Sequence, residues 1–464
     1  MLADLYTSGT LRKIEGPLLF LRRNLDVGLN DAVEVIGKDG RGRLGRVASL
    51  DEETIVIEVL ESTAGLSLEG PRVRFFGEPL LFAVGPGLLG RVYDGVGRIL
   101  DGGPPLPGTQ RWRIDGMPLN PTARAAPADF IETGVSAIDL MNSLVRGQKL
   151  PIFSGGGLPH DRMAVQIAQH ARLPDDEGGR FAIVFAGIGI PYDVAEYFRR
   201  SMEESGVLAH TALFLNLASD PSTQRLLTPR FALTAAEYLA FREERHVLVI
   251  MTDMTNYCEA LREVAASHGE IPGRKGYPAY LYSDLAQLFE RAGRLRARGG
   301  TLTQMPILTM PADDISHPIP DLTGYITEGQ VVLSRDLAQR QVYPPVAVLP
   351  SLSRLMKDGI GEGSTFADHP DLANQLFAAY ARATRVRVLA SVVGTEGLAE
   401  SDLAYLAFAD RFEREFLTQP ESRTLAESAE IGWKVLRDLP LRELSRLDDR
   451  QIAAHIKQEQ VDER

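Results

Sequence analysis

Residues 153–163 read Phe153-Ser154-Gly155-Gly156-Gly157-Leu158-Pro159-His160-Asp161-Arg162-Met163. An apolar run, Leu150-Pro151-Ile152-Phe153, precedes the glycines, and Met163, Ile167 and Ala171 follow at i, i+4, i+8. That order predicts strand, glycine turn, helix. A phosphate-holding loop in this setting has the form G-x-x-x-x-G-K-[ST]. Gly155, Gly156 and Gly157 keep the tight turn. Pro159, however, stands at the second motif glycine, His160 at the lysine and Asp161 at the Ser/Thr. Proline brings no N–H to a phosphate cradle. Histidine near neutral pH lacks the fixed charge and the reach of lysine. Aspartate points a negative charge at phosphate oxygens, a repulsion of roughly 4 kcal/mol at ~4 Å and an effective dielectric of ~20. An aspartate retains the chemistry to hold magnesium, but in a poor cradle. A glycine-rich strand–helix turn also arises by chance in α/β proteins, so the other segments decide.

With 464 residues the chain has room for two or three domains. Its 44% hydrophobic and 24% charged residues are those of a soluble globular protein. No run of eighteen apolar residues exists, so no helix is expected to span a bilayer. Met1–Thr10 shows no basic segment followed by an apolar core, and no secretory signal is expected. The single Cys258 rules out an internal disulfide and fits a reducing cytosol. A net charge of -12 disfavours a protein that coats nucleic acid or anionic lipid. Membrane association is therefore expected to run through a partner.

The expected fold is multi-domain α/β. Residues 1–77 alternate β-like runs with glycines (Ala32–Ile36, Arg46–Leu50, Thr54–Leu60, Val73–Phe76), which predicts a small N-terminal β-barrel. Leu89–Leu106 is turn-rich and reads as a linker. Across 78–350, apolar strands (Phe181–Phe185, Thr211–Leu217, Val247–Ile250, Ile307–Thr309) alternate with amphipathic helices, one of them around Ala232, Ala236 and Leu239. That is a mostly parallel sheet with ligands at its strand ends. Asp253 follows one such strand, either as the magnesium-side acid of a nucleotide loop or as an acidic turn residue. Residues 351–464 carry helical stripes: Leu372, Leu376, Ala379 and Ala383, then Leu403, Leu406, Phe412 and Phe416. Thr424 and Glu427 form a capping box ahead of Leu425, Ala429, Trp433 and Leu436. The tail from Leu447 is charged and reads as a frayed helix. No internal repeat or low-complexity tract is present.

Barrel, loop-bearing α/β domain and helical bundle is the order found in rotary-ATPase hexamer subunits. Five segments go further: Ile131-Glu132-Thr133-Gly134-Val135-Ser136-Ala137-Ile138-Asp139-Leu140, Gly147–Gly155, Met310-Pro311-Ala312-Asp313-Asp314-Ile315-Ser316-His317-Pro318-Ile319-Pro320-Asp321-Leu322, Tyr343-Pro344-Pro345-Val346 and Leu349–Leu355. Together they resemble the B subunits of V/A-type proton-translocating ATPases and ATP synthases, over essentially the whole chain. Ala347 departs from that pattern, where relatives often carry an acid, and is assigned no role.

The resemblance implies three catalytic A subunits alternating with three B subunits around a central rotor stalk, with peripheral stalks and an indirect link to the ion-translocating membrane sector. Ile190, in Phe185-Ala186-Gly187-Ile188-Gly189-Ile190, matches the position of the glutamate that positions attacking water in catalytic relatives. Isoleucine neither orients water nor accepts a proton. The altered loop (Ser154, Gly155, Gly156, Gly157, Pro159, His160, Asp161, with Asp253) and Ile190 together imply a non-catalytic, regulatory role. Arg354, by residue type alone a surface arginine, matches the position that reaches the neighbour's γ-phosphate; Gly324 and Ser353 belong to the same edge. Tyr325 is read either as standing near the neighbour's nucleotide base or phosphate, or as a buried or interface-packing tyrosine. Gly273-Arg274-Lys275-Gly276-Tyr277-Pro278 either lines the interface with the neighbour or is a solvated turn. His160 reads as a polar loop residue, and no metal site is expected in this chain. ATP or ADP with magnesium is expected at the boundary with the catalytic neighbour, and none bound tightly by this chain alone. The expected location is the cytoplasmic face of a membrane, with the compact N-terminal part favouring a prokaryotic plasma membrane over a vacuole.

Three other classes share parts of this pattern. An autonomous flagellar or type III export ATPase needs the loop lysine, which His160 replaces. An RNA-translocating hexamer needs it too, with a basic surface that a pI near 5.3 does not suggest. The non-catalytic chain of an F-type synthase would hold a non-exchanging nucleotide.

Overall fold

The computed structural model describes residues 5–7, 11–116, 120–174 and 179–456. Residues 1–4 and 8–10 of the N-terminal stretch and residues 457–464 of the charged tail lie outside the described residues. The chain packs into two units. One comprises Met1–Pro121, Ile183–Glu243 and Met251–Arg291; the other comprises Thr122–Ala182, Glu244–Ile250 and Ala292–Arg464.

In the first unit, β1 (Leu5–Thr7), β2 (Leu11–Glu15), β3 (Leu18–Arg22), β4 (Asp31–Ile36), β5 (Gly42–Leu50), β6 (Thr54–Val59) and β7 (Arg72–Pro79) form an antiparallel sheet ordered β1-β7-β4-β5-β6-β3-β2. Alternation along these strands turns Leu19, Val33, Val35, Val47, Ile55, Ile57, Val73 and Phe75 into one core. Each such side chain contributes roughly 1.5–3 kcal/mol on burial. The four runs expected from the sequence are β4 to β7.

β8 (Leu81–Val84), β9 (Arg91–Asp94) and β10 (Gln110–Arg113) follow. β9 corrects the expectation that Leu89–Leu106 is only a linker. It pairs in parallel with Thr211–Leu217, Ala212 opposite Arg91. Arg91 holds Asp101 by two bonds, at 2.7 and 2.8 Å. That guanidinium keeps the Asp101 carboxyl down at about 2.

The remaining main elements, in chain order, are β11 (Ile152–Gly155), α1 (His160–His170), β12 (Phe181–Ile190), α2 (Tyr192–Glu204), β13 (Thr211–Leu217), α3 (Ser222–Phe241), β14 (His246–Thr252), α4 (Met254–Ser267), α5 (Leu281–Phe289), β15 (Thr301–Met310), α6 (Pro318–Ile326), β16 (Gly329–Leu333), α7 (Arg335–Gln339), β17 (Val346–Ser353), α8 (His369–Val393), α9 (Glu400–Arg411) and α10 (Leu425–Leu436). In the first unit β12 runs parallel to β13, with Ile183 opposite Thr211. In the second, β11 runs parallel to β15 (Ile152 opposite Ile307) and to β16 (Ile152 opposite Val331). β16 and β17 are antiparallel, Gln330 opposite Leu352. The glycine loop thus leaves the carboxyl end of a buried parallel strand, where ligands of such sheets bind.

The helical part carries the expected buried stripe of Leu372, Leu376, Ala379 and Ala383 on α8. The capping box at α10 is complete: Glu427 N–H donates to Thr424 Oγ1 at 3.2 Å and Thr424 N–H to Glu427 Oε2 at 2.7 Å. Two details differ. Ala171 lies one residue past α1 as its C-cap. Leu403 is exposed, because Tyr405, Phe408, Ala409, Phe412 and Phe416 claim the inner face of α9 and the π-turn Phe412–Leu417 that follows it.

His369 starts α8 fully buried, its ring stacked on Phe366 at 5.0 Å. Nε2 meets the Leu140 carbonyl and Nδ1 the Thr365 hydroxyl, each at 3.0 Å. These partners suit a neutral ring that donates from Nε2. Burial lowers its pKa to about 4. A depressed histidine leaves the unfolded chain binding the extra proton. Its contribution is therefore complete above about 6.5 and is lost as pH falls toward 4, roughly 3 kcal/mol in all. Unfolding midpoints at pH 7.5 and 4.5 are expected to differ less for His369→Gln than for the wild type. Equal slopes would contradict the neutral-ring assignment.

Candidate functional site

The loop after β11 is closed on itself. Leu158 N–H donates to the Gly155 carbonyl at 3.1 Å and His160 N–H to the Leu158 carbonyl at 2.8 Å. Pro159 caps α1 without an N–H or a side-chain bond. Gly157 takes φ +78°, which only a residue without a Cβ adopts freely. Two backbone donors of the loop, the Leu158 and His160 N–H groups, are thus spent on loop carbonyls. The His160 ring points inward, its Nδ1 3.0 Å from the buried Ser154 hydroxyl. Its Nε2 lies 3.6 Å from Asp161. These residues do not fit a tightly held magnesium nucleotide: no lysine stands in the loop, and Asp161 adds a negative charge in the first turn of α1.

Two further pairs stand at this loop and its helix, each joining a residue of a motif quoted above, Asp313 or Tyr343, to an arginine that has no sequence signal of its own. Arg335 donates to the Gly156 carbonyl at 2.9 Å and to both oxygens of Asp313, at 2.7 and 3.0 Å. On α1, the Arg162 guanidinium lies 3.8 Å from the centroid of the Tyr343 ring. The Tyr343 hydroxyl donates to Gln166 at 2.9 Å.

The second cluster is the edge at the end of β17. Ser353 is buried; its hydroxyl accepts from the Gln148 amide at 3.0 Å and donates to the Ser143 carbonyl at 2.8 Å. Arg354 follows, exposed, its N–H on the Glu328 carbonyl at 2.9 Å. Glu328 is fixed in turn by Lys149 Nζ at 2.9 Å. The Arg354 guanidinium donates to the Thr327 carbonyl at 3.3 Å, and among the described residues no carboxylate pairs with it. So the backbone at Arg354 is anchored by buried polar groups while the cation faces solvent. The same α6–β16 turn follows Tyr325, which is 79% exposed. Gly324 backs onto the Phe153 ring, where an added Cβ would sit at 3.7 Å. The structure thus brings Gly324, Tyr325, Ser353 and Arg354 to one region. A groove of about 620 Å³ opens beside Arg354, bordered by Met141, Asn142, Gln330, Leu352 and Phe377.

The chain is 56% identical to the V-type ATP synthase beta chain 2 of Treponema pallidum over 96% of its own length and 93% of the relative's. The V-type ATP synthase beta chain of Halothermothrix orenii is 54% identical, over 95% of each chain. The chain belongs to the V/A-type ATP synthase beta-chain family, whose members are also called B subunits. The B subunit of the A-type ATP synthase from Aeropyrum pernix is 54% identical as well, over 95% of this chain and 96% of that one. Family models match in sequence order: the ATP synthase alpha/beta beta-barrel domain at 12–77, its nucleotide-binding domain at 134–353, and the C-terminal domain of V and A type ATP synthase at 358–456. A solved structure titled as a unique ATP synthase subunit, NeqB from Nanoarcheaum equitans, shares 38% identity with a TM-score of 0.73, covering 92% of this chain and all of that one. The chain is thus a rotary-ATPase subunit with a barrel, a nucleotide-binding α/β domain and a helical domain.

In this B-family chain Ile190 is buried at the end of β12, its side chain lying against Gly187. It is core, with no polar atom to offer. Asp253 is the N-cap of α4, its carboxylate accepting from Thr255 N–H at 2.7 Å. In the 273–278 stretch Gly273–Gly276 form an exposed turn around Arg274 and Lys275 that closes with Gly273 N–H on the Tyr277 carbonyl at 2.7 Å, while Tyr277 and Pro278 are buried. Among the described residues no group of three or more His, Cys, Asp or Glu is placed to hold a metal, and no helix is long and apolar enough to cross a membrane.

Proposed function

We propose that this chain is the non-catalytic, regulatory B subunit of a V/A-type rotary ATPase or ATP synthase, organised as a barrel (1–77), a nucleotide-binding-like domain (78–350) and a helical domain (351–464). It alternates with catalytic A subunits in a three-plus-three hexamer. Each copy of this chain presents Arg354 to the magnesium ATP or ADP held by its neighbour, with Ser353 anchoring the strand end and Gly324 and Tyr325 flanking it. Rotation of the central stalk, driven by ion flow while peripheral stalks hold the hexamer, displaces the helical domains unequally. That displacement moves Arg354 toward or away from the neighbour's phosphate and times binding and release. The complex sits peripherally on the cytoplasmic face of a prokaryotic plasma membrane and involves no nucleic acid.

One observation carries this reading. Arg354 is an exposed cation on a firmly anchored backbone, without an internal counter-charge among the described residues, while the chain's own loop lacks the motif lysine. A buried strand end fixes where the guanidinium starts, and the lack of a paired carboxylate leaves it available to a phosphate from outside. The purified full-length chain is expected to show no steady Mg·ATP hydrolysis. Addition of a catalytic partner with an intact lysine loop is expected to produce both a hexamer and turnover. Hydrolysis by this chain alone would refute the reading, and a tightly held, non-exchanging nucleotide would favour the F-type alternative.

A further inference from the structure

We propose that Asp313 and Arg335 form an internal latch on the glycine loop, in which Asp313 neutralises a guanidinium that would otherwise make the loop a binding site for a polyphosphate. This deepens the proposed function and rests on its reading that the loop holds no nucleotide tightly in the wild-type chain.

The altered motif has lost its lysine, yet a cation stands at the loop. Arg335, first residue of α7, reaches the Gly156 carbonyl at 2.9 Å. Gly156 and Gly157 are exposed, so an anion could approach this backbone. A guanidinium beside exposed glycine peptides has the forked donors that phosphate oxygens accept. What it lacks is free charge: Asp313 takes Nε at 2.7 Å and Nη2 at 3.0 Å.

The placement of Asp313 is built in by the backbone. Ala312 and Asp313 both adopt left-handed conformations, φ 56° and 55°, that L side chains rarely take. The Asp313 carboxylate also lies where a Cβ on Gly155 would be, so that glycine is what admits it. Arg335 holds the Asp313 carboxyl below its ordinary range, so the acid stays charged at physiological pH. Three features with no common local cause, the two left-handed residues, the glycine and the arginine, meet at one contact.

The test measures binding of inorganic pyrophosphate to the full-length chain by calorimetry, with thermal melting as the check on folding. Wild type is expected to bind weakly. Asp313→Asn keeps the side-chain shape and removes the charge, and is expected to bind at least about ten-fold more tightly, with the gain falling as salt rises. Asp313→Asn combined with Arg335→Gln is expected to return to the wild-type value. Asp313→Ser serves in the same way should the asparagine variant melt early. No gain on removing Asp313, or a gain that survives loss of Arg335, would overturn the latch. Tight Mg·ATP binding by the wild type would instead overturn the reading on which it rests, and the two failures are separate measurements.

Discussion

Arg354→Ala, in a hexamer reconstituted with the catalytic partner, is expected to lower ATP turnover by ~10³-fold or more while leaving assembly intact. Fingers of this kind act on charge that develops as the γ-phosphoryl group leaves, and are worth ~10³–10⁵ in rate, or roughly 4–7 kcal/mol of barrier. The loss should fall on kcat with little change in KM, since an interaction made mainly in the transition state is what disappears. Assembly should survive because the side chain's intramolecular bond, to the Thr327 carbonyl at 3.3 Å, is a long one. Its backbone anchors, through Ser353 and Glu328, stay in place. Arg354→Lys is expected to recover little, because an ammonium offers a point charge in place of a planar fork. Size-exclusion chromatography with a stopped-flow phosphate assay checks both halves. An Arg354→Ala hexamer turning over at a near-normal rate would eliminate the finger role.

The elements legible in the sequence are those written in local chemistry. Thr211–Leu217 carries the apolar run Ala212-Leu213-Phe214-Leu215, and β13 has the bounds read from the sequence. Thr424 and Glu427 satisfy each other's backbone within three residues, so their box needs no tertiary information. The loss of lysine from the loop is likewise a matter of residue identity. What stays hidden depends on distant partners. β9 is four residues among glycines and aspartates, and becomes a strand only because β13 pairs with it. Asp313 lies inside a particular motif, but its partner Arg335 is 22 residues away in sequence, and no spacing rule links them. Helical period alone places Leu403 in the core, whereas bulkier aromatics two residues off that phase decide the face. At the candidate site the sequence supplies the residue types, and the fold supplies what each is doing: Asp253 caps a helix, Ile190 packs against Gly187, and Ser353 holds the strand that carries Arg354.

Glu237→Ala is expected to cost roughly 3–5 kcal/mol of stability, the largest single effect away from the site. Glu237, on α3, is buried and takes a two-pronged bond from Arg291, Nε to Oε1 at 2.7 Å and Nη2 to Oε2 at 2.8 Å. The guanidinium also donates to the Ile114 carbonyl at 2.9 Å and the Thr234 hydroxyl at 2.8 Å. With side-chain exposures of 6% and 3%, neither charge reaches water. Alanine would remove the carboxylate that Arg291 grips and leave a buried cation held by neutral dipoles. The size of that penalty is not the net worth of the pair, since burying both charges already costs desolvation comparable to their attraction. The double variant Glu237→Leu with Arg291→Met should therefore be far less damaged than Glu237→Ala. Urea unfolding of the full-length chain, compared across the three proteins, tests this. A Glu237→Ala chain within about 1 kcal/mol of wild type would mean that water or a shifted side chain reaches Arg291. A double variant as unstable as the single would place the stabilisation in the ion pair itself, and the stranded charge would no longer explain the loss.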